Sequence, residues 1–151
     1  TATYSSPPNH IEVDIARQVL MVVYGGQVTT TVAVSTGSGE TFYEKDSPGK
    51  HHAITPNGIF SVLWKYSGWW TSPLGKMYKP AFIDDTLGIA IHGFGYVPPK
   101  PASHGCIRVP LAFSDAMAKL DTVGTTVYVF GGPVGKNPPG ATMTSASAPA
   151  A

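Results

Sequence analysis

The sequence predicts a mainly β domain, a sandwich or barrel with one packed helix, and three observations carry that prediction. Short β-branched and aromatic runs are separated by turn residues, glycine and proline number 17 and 14 among 151 residues, and only one segment has helical periodicity. Charged residues make up 13% of the chain, against about 25% in ordinary globular proteins, which excludes a coiled coil or a charge-laced bundle. The length suits one domain with a core that needs no staples.

Residues 1–9 are small, polar and proline-bearing, and read as a linker. The domain is expected over residues 10–131. Ile11 Glu12 Val13 Asp14 Ile15 alternates apolar with polar, the pattern of a half-buried strand. Two more strands, Gln18 to Tyr24 and Val28 to Val34, flank Gly25 Gly26, a hairpin turn that needs positive φ. Thr36 to Asn57 is polar and glycine-punctuated and reads as a surface excursion, ending in the turn Thr55 Pro56 Asn57 Gly58. The strand Ile59 to Trp64 follows, then a second irregular stretch from Tyr66 to Asp85. Gly88 to Ile91 is a buried strand ending at His92, and His104 to Val109 is another.

Pro110 suits a first helical turn. Phe113, Met117 and Leu120 recur behind it at i, i+4 and i+7, which predicts a helix with one buried face over about 110–121. Gly124 stops it before the closing strand Thr125 to Phe130. Residues 132–151 dissolve into a flexible Pro/Ala/Ser/Thr-rich tail, and everything after Lys136 is expected to be dispensable for folding.

A net charge of +1 provides no basic field for a duplex, so nucleic acid is excluded as a partner. No run approaches the roughly 18 apolar residues of a membrane-spanning helix. The chain has neither a start methionine nor a signal peptide, and reads as a domain processed or excised from a longer protein with additional domains. Cys106 is the only cysteine, so no intrachain disulfide forms. In an exported chain such a thiol needs a reason.

The segment from Ile91 to Val109 holds that thiol and two of the five histidines. A nucleophilic thiolate needs a base or a cation beside it. His104, Cys106 and Arg108 share one strand face by alternation, and His92 arrives from a neighbouring strand end. Together, Arg108 and His92 predict a depressed thiol pKa. Gly105 exposes backbone amides suited to an oxyanion. The competing reading is that Cys106 is a small buried hydrophobe. A zinc site from His92, His104 and Cys106 lacks the usual ligand spacings, so no metal is expected. His51 and His52 read as solvated, and His10 as a surface residue. Trp69 and Trp70, between Gly68 and Thr71, suggest a cover over a cleft.

Ser103 His104 Gly105 Cys106 followed by Ile107 Arg108, the upstream Ile91 His92 Gly93, and Thr55 Pro56 Asn57 Gly58 Ile59 Phe60 together resemble the L,D-transpeptidase catalytic domain of bacterial cell walls. The resemblance spans about Ile11 to Phe130. One departure is Arg108, where asparagine is frequent in that family.

The resemblance implies that Cys106 is the nucleophile and His92 the general base, with the Gly93 carbonyl orienting the imidazole. Gly105 and Cys106 amides would form the oxyanion site. His104 would either support the thiol or merely satisfy a backbone carbonyl. Tyr78, Ser103, Arg108, Trp70 and Phe94 are the implied substrate contacts, Ser103 also fixing the loop. The segment from Gly68 to Tyr78 would form a lid. The implied activity is peptidoglycan cross-linking through a cysteine thioester, with stem peptides as partners, carbapenem-type β-lactams as covalent inhibitors, no cofactor, and an exported, extracytoplasmic location in the cell wall or periplasm. The alternatives are an L,D-carboxypeptidase using the same acyl-enzyme and a non-catalytic wall-binding β module.

Overall fold

The computed structural model describes residues 1–44, 47–72, 75–98, 100–120 and 122–140; of residues 42–44 and 47–50 only the backbone is described. The fold is the expected β architecture with one helix. Its first sheet is built from β1 (His10–Asp14), β2 (Val19–Tyr24), β3 (Gln27–Ala33), β6 (Gly58–Ser61) and β12 (Thr126–Phe130), in the order β3-β2-β1-β12-β6. The second contains β7 (Trp64–Lys65), β8 (Trp69–Ser72), β9 (Gly75–Asp84), β10 (Ile89–Phe94) and β11 (Ile107–Pro110), in the order β11-β10-β9-β7 with β8 also on β9. Both sheets are mixed, since β1 runs parallel to β12 and β10 parallel to β11.

The inward residues of the two sheets meet in one core. Ile11, Val13, Leu20, Val127 and Val129 from the first sheet pack with Ala81, Ile83, Ile89, Ile91, Ile107 and Val109 from the second. Fully burying a side chain such as Ile91 or Ile107 stabilises the fold by about 1.5–3 kcal/mol relative to exposure. Gly25 and Gly26 take φ of 60° and 78°, the left-handed pair that a tight β2–β3 hairpin needs.

β1 is buried on both faces, not half-buried. The cause is residues 1–9, which are docked rather than free. Tyr4 stacks on Tyr128 with ring centroids 4.0 Å apart, and the Thr3 and Tyr4 amides donate to the Glu12 carboxylate at 2.8 and 2.9 Å. His10, expected at the surface, is buried beneath this segment, with Nε2 2.7 Å from Glu12 and Nδ1 2.6 Å from the Pro7 carbonyl. Burial alone would raise the Glu12 carboxyl. The bonds from His10, Tyr4 and Thr3 outweigh it and hold the group below its ordinary value.

The tail is also anchored at its start. Asn57 Nδ2 donates to the carbonyls of Gly132 and Gly135, and the Tyr4 hydroxyl donates to Pro138 at 2.9 Å. Pro138 is buried. Residues 141–151 lie outside the described residues.

Two stretches expected to be irregular are strands. The excursion from Thr36 contains the hairpin β4 (Thr41–Glu44) and β5 (Ser47–His52), and the aromatic stretch after Tyr66 is the β8–β9 hairpin. Aromatics favour strands where cross-strand neighbours cover them. Trp64 stacks on Phe82 at 4.0 Å and meets Trp70 edge-on at 5.3 Å. The run from Ile59 to Trp64 is divided between the two sheets, as β6 and β7.

The helix α1 (Leu111–Met117) is shorter than its periodicity suggests; Leu120 is 44% exposed and falls in the turn beyond it. It presses Ser114 against Gly93 of β10. A Cβ on Gly93 would lie 3.0 Å from Ser114 Cβ, 3.1 Å from Tyr78 Cδ2 and 3.2 Å from Leu111 Cδ2. Glycine is what allows the helix to approach the strand that carries His92.

Candidate active site

Parallel pairing of β10 with β11 sets His92 opposite Arg108 and Ile91 opposite Ile107. Because successive side chains alternate, the isoleucines enter the core while His92 and Arg108 face the other side of the sheet. There a cavity of about 620 Å³ opens, lined by Cys106, His92, His104, Arg108, Ser103, Gly105, Trp70, Phe94 and Met77 among others. The sequence places Cys106 within a strand. In the structure it sits in a bend just before β11, yet His104, Cys106 and Arg108 all reach the same cleft.

His92 is 4% exposed, and its Nδ1 lies 2.9 Å from the Gly93 carbonyl oxygen. A carbonyl only accepts, so Nδ1 carries the proton and Nε2 is the basic nitrogen. Burial lowers the imidazole pKa from 6.5 to about 4; the Gly93 bond opposes this, and the Arg108 charge adds to it. At neutral pH the ring is uncharged.

The thiol does not match the expected depressed pKa. Burial pushes Cys106 up, and the Ala90 N–H and the Arg108 charge only partly offset it. Sγ lies 3.6 Å from the Gly88 carbonyl and 3.9 Å from Met77 Sδ. The resting pair is therefore a neutral thiol and a neutral imidazole. Sequence spacing reveals a nearby cation but not the desolvation that outweighs it.

The loop before the cysteine is pinned at several points. The Ser103 hydroxyl donates to the Cys106 carbonyl and accepts the Gly105 N–H at 3.1 Å. The Thr55 hydroxyl donates to the Gly105 carbonyl and accepts the Gly37 N–H at 2.9 Å. Thr55, read from sequence as turn chemistry, thus ties the β5–β6 connection to the cysteine loop. Gly105 adopts φ of 131°, and a Cβ there would lie 3.0 Å from the Ile54 carbonyl oxygen. Its own N–H is turned to Ser103, so its contribution is backbone shape and not a free amide.

The other expected contacts divide. Trp70 and Phe94 line the cleft, and the Arg108 guanidinium lies 4.4 Å above the Phe94 ring. His104 is exposed at the rim. Tyr78 does not line the cleft: its hydroxyl donates to Asp115 at 2.7 Å, and its ring tilts against Trp69 at 5.0 Å. The expected lid is a strand hairpin that walls the cleft through Trp70, Ser72, Lys76 and Met77. His51 and His52, expected to be solvated, are partly exposed and exposed respectively, and both also line the cleft. Among the described residues no three His, Cys, Asp or Glu side chains gather as metal ligands.

The family model for the YkuD L,D-transpeptidase catalytic domain matches residues 8–129. An L,D-transpeptidase from Xylanimonas cellulosilytica is 34% identical, with TM-score 0.77 over 83% of this chain and 62% of that one. The Ldtfm-avibactam carbamoyl enzyme is 26% identical, with TM-score 0.63 over 84% of this chain and 50% of its own. LdtMt1 in complex with imipenem shares the fold at 18% identity, with TM-score 0.63 over 82% of this chain and 59% of its own. The chain thus spans only 50% to 62% of the length of these relatives. No curated protein matches.

Proposed function

The chain belongs to the YkuD family of L,D-transpeptidase catalytic domains, and from that premise we propose that it forms peptidoglycan cross-links by acyl transfer through Cys106. What carries the reading is the placement of a single thiol and a buried histidine with a basic Nε2 in one cleft. The 26% identical relative solved as an avibactam carbamoyl enzyme supports covalent acylation chemistry.

His92 Nε2 takes the Cys106 proton as Sγ attacks the carbonyl at the L centre of the third residue, a diamino acid, in a donor stem tetrapeptide. A neutral pair makes this a general-base step, with the proton moving as the S–C bond forms. The oxyanion is met by the backbone amide of Cys106, in a bend that the Ser103 and Thr55 bonds hold rigid. Collapse breaks the C–N bond; the departing D-alanine amine collects the proton from His92, and a thioester remains. An acceptor amine from a second stem then attacks the thioester, His92 removes its proton, and the thiol is restored. The cleaved peptide bond supplies the energy, so the sequence of steps calls for neither metal nor organic cofactor. Such a substrate places the domain outside the cytoplasmic membrane.

The experiment is mass spectrometry of products from a purified stem tetrapeptide. Cross-linked dimer with release of D-alanine supports transfer to an amine. Tripeptide alone would identify a carboxypeptidase, and unchanged tetrapeptide would remove the catalytic reading.

A further inference from the structure

Apart from the Cys106 thiol, the ionisable side chains lining the cleft are basic. His51 and His52 enter from β5, Lys76 from β9, His92 from β10, and His104 and Arg108 from the cysteine loop and β11; among the described residues no Asp or Glu joins them. Three of the described acids have partners elsewhere. Asp84 accepts the Thr86 amide at 2.9 Å, Asp85 accepts the Trp64 indole N–H at 3.2 Å, and Asp115 pairs with Lys79 at 2.7 Å on the far side of the β8–β9 hairpin.

Two of the six are the guanidinium of Arg108 and the ammonium of Lys76. Arg108 is half-buried, its guanidinium carbon lies 4.4 Å from the centre of the Phe94 ring, and none of the described carboxylates pairs with it. Lys76 stands on the hairpin wall, likewise without a carboxylate partner among the described residues. A guanidinium that is partly stripped of water and set over an aromatic ring is preorganised for a planar two-oxygen anion. The lysine supplies a mobile second charge.

We propose that Arg108 and Lys76 bind a free carboxylate of the donor peptide, so that the domain selects stems whose carboxylates are not amidated. The inference rests on the acyl-transfer reading for what the peptide is, but not for the charge of the cleft. Two carboxylates are compared: the terminal one on the departing D-residue and, where the third residue is a dicarboxylic diamino acid, its side-chain one. Their recognition chemistry is the same.

The test uses four synthetic tetrapeptides: free acid, amidated at the C-terminus, amidated at the third residue, and doubly amidated. Binding to the Cys106→Ala protein is measured by calorimetry, and acyl-enzyme formation on wild type by intact mass. One of the two single amidations should weaken binding about tenfold, the usual size of a lost charge-assisted bond, and identifies the carboxylate that is read. Against the Cys106→Ala background, Lys76→Gln should reduce that discrimination, and raised salt should shrink it further. Lys76 is exposed on a strand, so its replacement tests the idea even if Arg108→Gln fails to fold. Equal binding of all four peptides overturns the proposal while leaving the chemistry intact. Discrimination in binding without any acyl-enzyme would sustain the carboxylate site and remove the proposed reaction.

Discussion

Replacing His92 with glutamine removes a titration that the fold suppresses, and the consequence for stability can be worked out. In the native protein the imidazole titrates near pH 4, against 6.5 for an exposed histidine. The unfolded chain therefore takes up a proton below about pH 6.5 that the native state refuses until about pH 4. Stability from this group is complete above the higher value and declines as pH falls through the window, by about 1.4 kcal/mol per pH unit. Across some 2.5 units the loss reaches about 3 kcal/mol, a large share of the 5–15 kcal/mol available to a domain. Urea unfolding at pH 4.5, 5.5 and 7 reads it directly. Glu12 and Asp14 titrate over neighbouring ranges in both proteins, so the difference between wild type and His92→Gln isolates the one group. Wild type should lose stability on acidification more steeply than the variant, by about one proton's worth. Parallel pH profiles would refute the claim that His92 is buried and neutral.

Gly93→Ala should destabilise the fold by about 1–3 kcal/mol, because its Cβ meets Ser114, Tyr78 and Leu111 at close range. It should also slow acylation of Cys106, since the His92 ring is held by the Gly93 carbonyl; unchanged melting and acylation would show that the helix yields freely. Iodoacetamide should modify Cys106 slowly at neutral pH, with an alkaline midpoint above that of a free thiol, because burial raises it; a midpoint below the ordinary value would restore the depressed pKa expected from sequence. A chain ending at Lys136 should melt below the full chain, since it lacks Pro138 and the bond that Pro138 accepts from Tyr4. Equal melting temperatures would show that this contact adds nothing.

Much of the fold was legible because burial in a sandwich imposes period-two patterning. Ile11 and Val13, the Gly25 Gly26 turn and the closing strand from Thr126 to Phe130 could be read directly. The aromatic hairpin could not. Trp69 to Asp84 breaks the simple alternation, because β9 is irregular: Lys79 takes φ of 46° and the register with β10 shifts between Ile91 and Gly93. His10 misled for a related reason: a polar residue looks like surface until a distant segment, here Thr3 and Tyr4, folds over it. At the site, the motif brought His92, Ser103, His104, Cys106 and Arg108 to one cleft, but residue types alone do not report desolvation or hydroxyl partners. Hence the thiol shift came out with the opposite sign, and Tyr78 was assigned to substrate when its hydroxyl is bound to Asp115.

The central claim is that Cys106 is an activated acyl acceptor served by His92. Incubation of the folded protein with imipenem, followed by intact and peptide-level mass spectrometry, tests it most directly. The account predicts one adduct per chain, located on Cys106, absent from Cys106→Ala, and formed at least about a hundredfold more slowly in His92→Gln. An adduct that persists in Cys106→Ala, or a folded wild type that gains no mass, would contradict it.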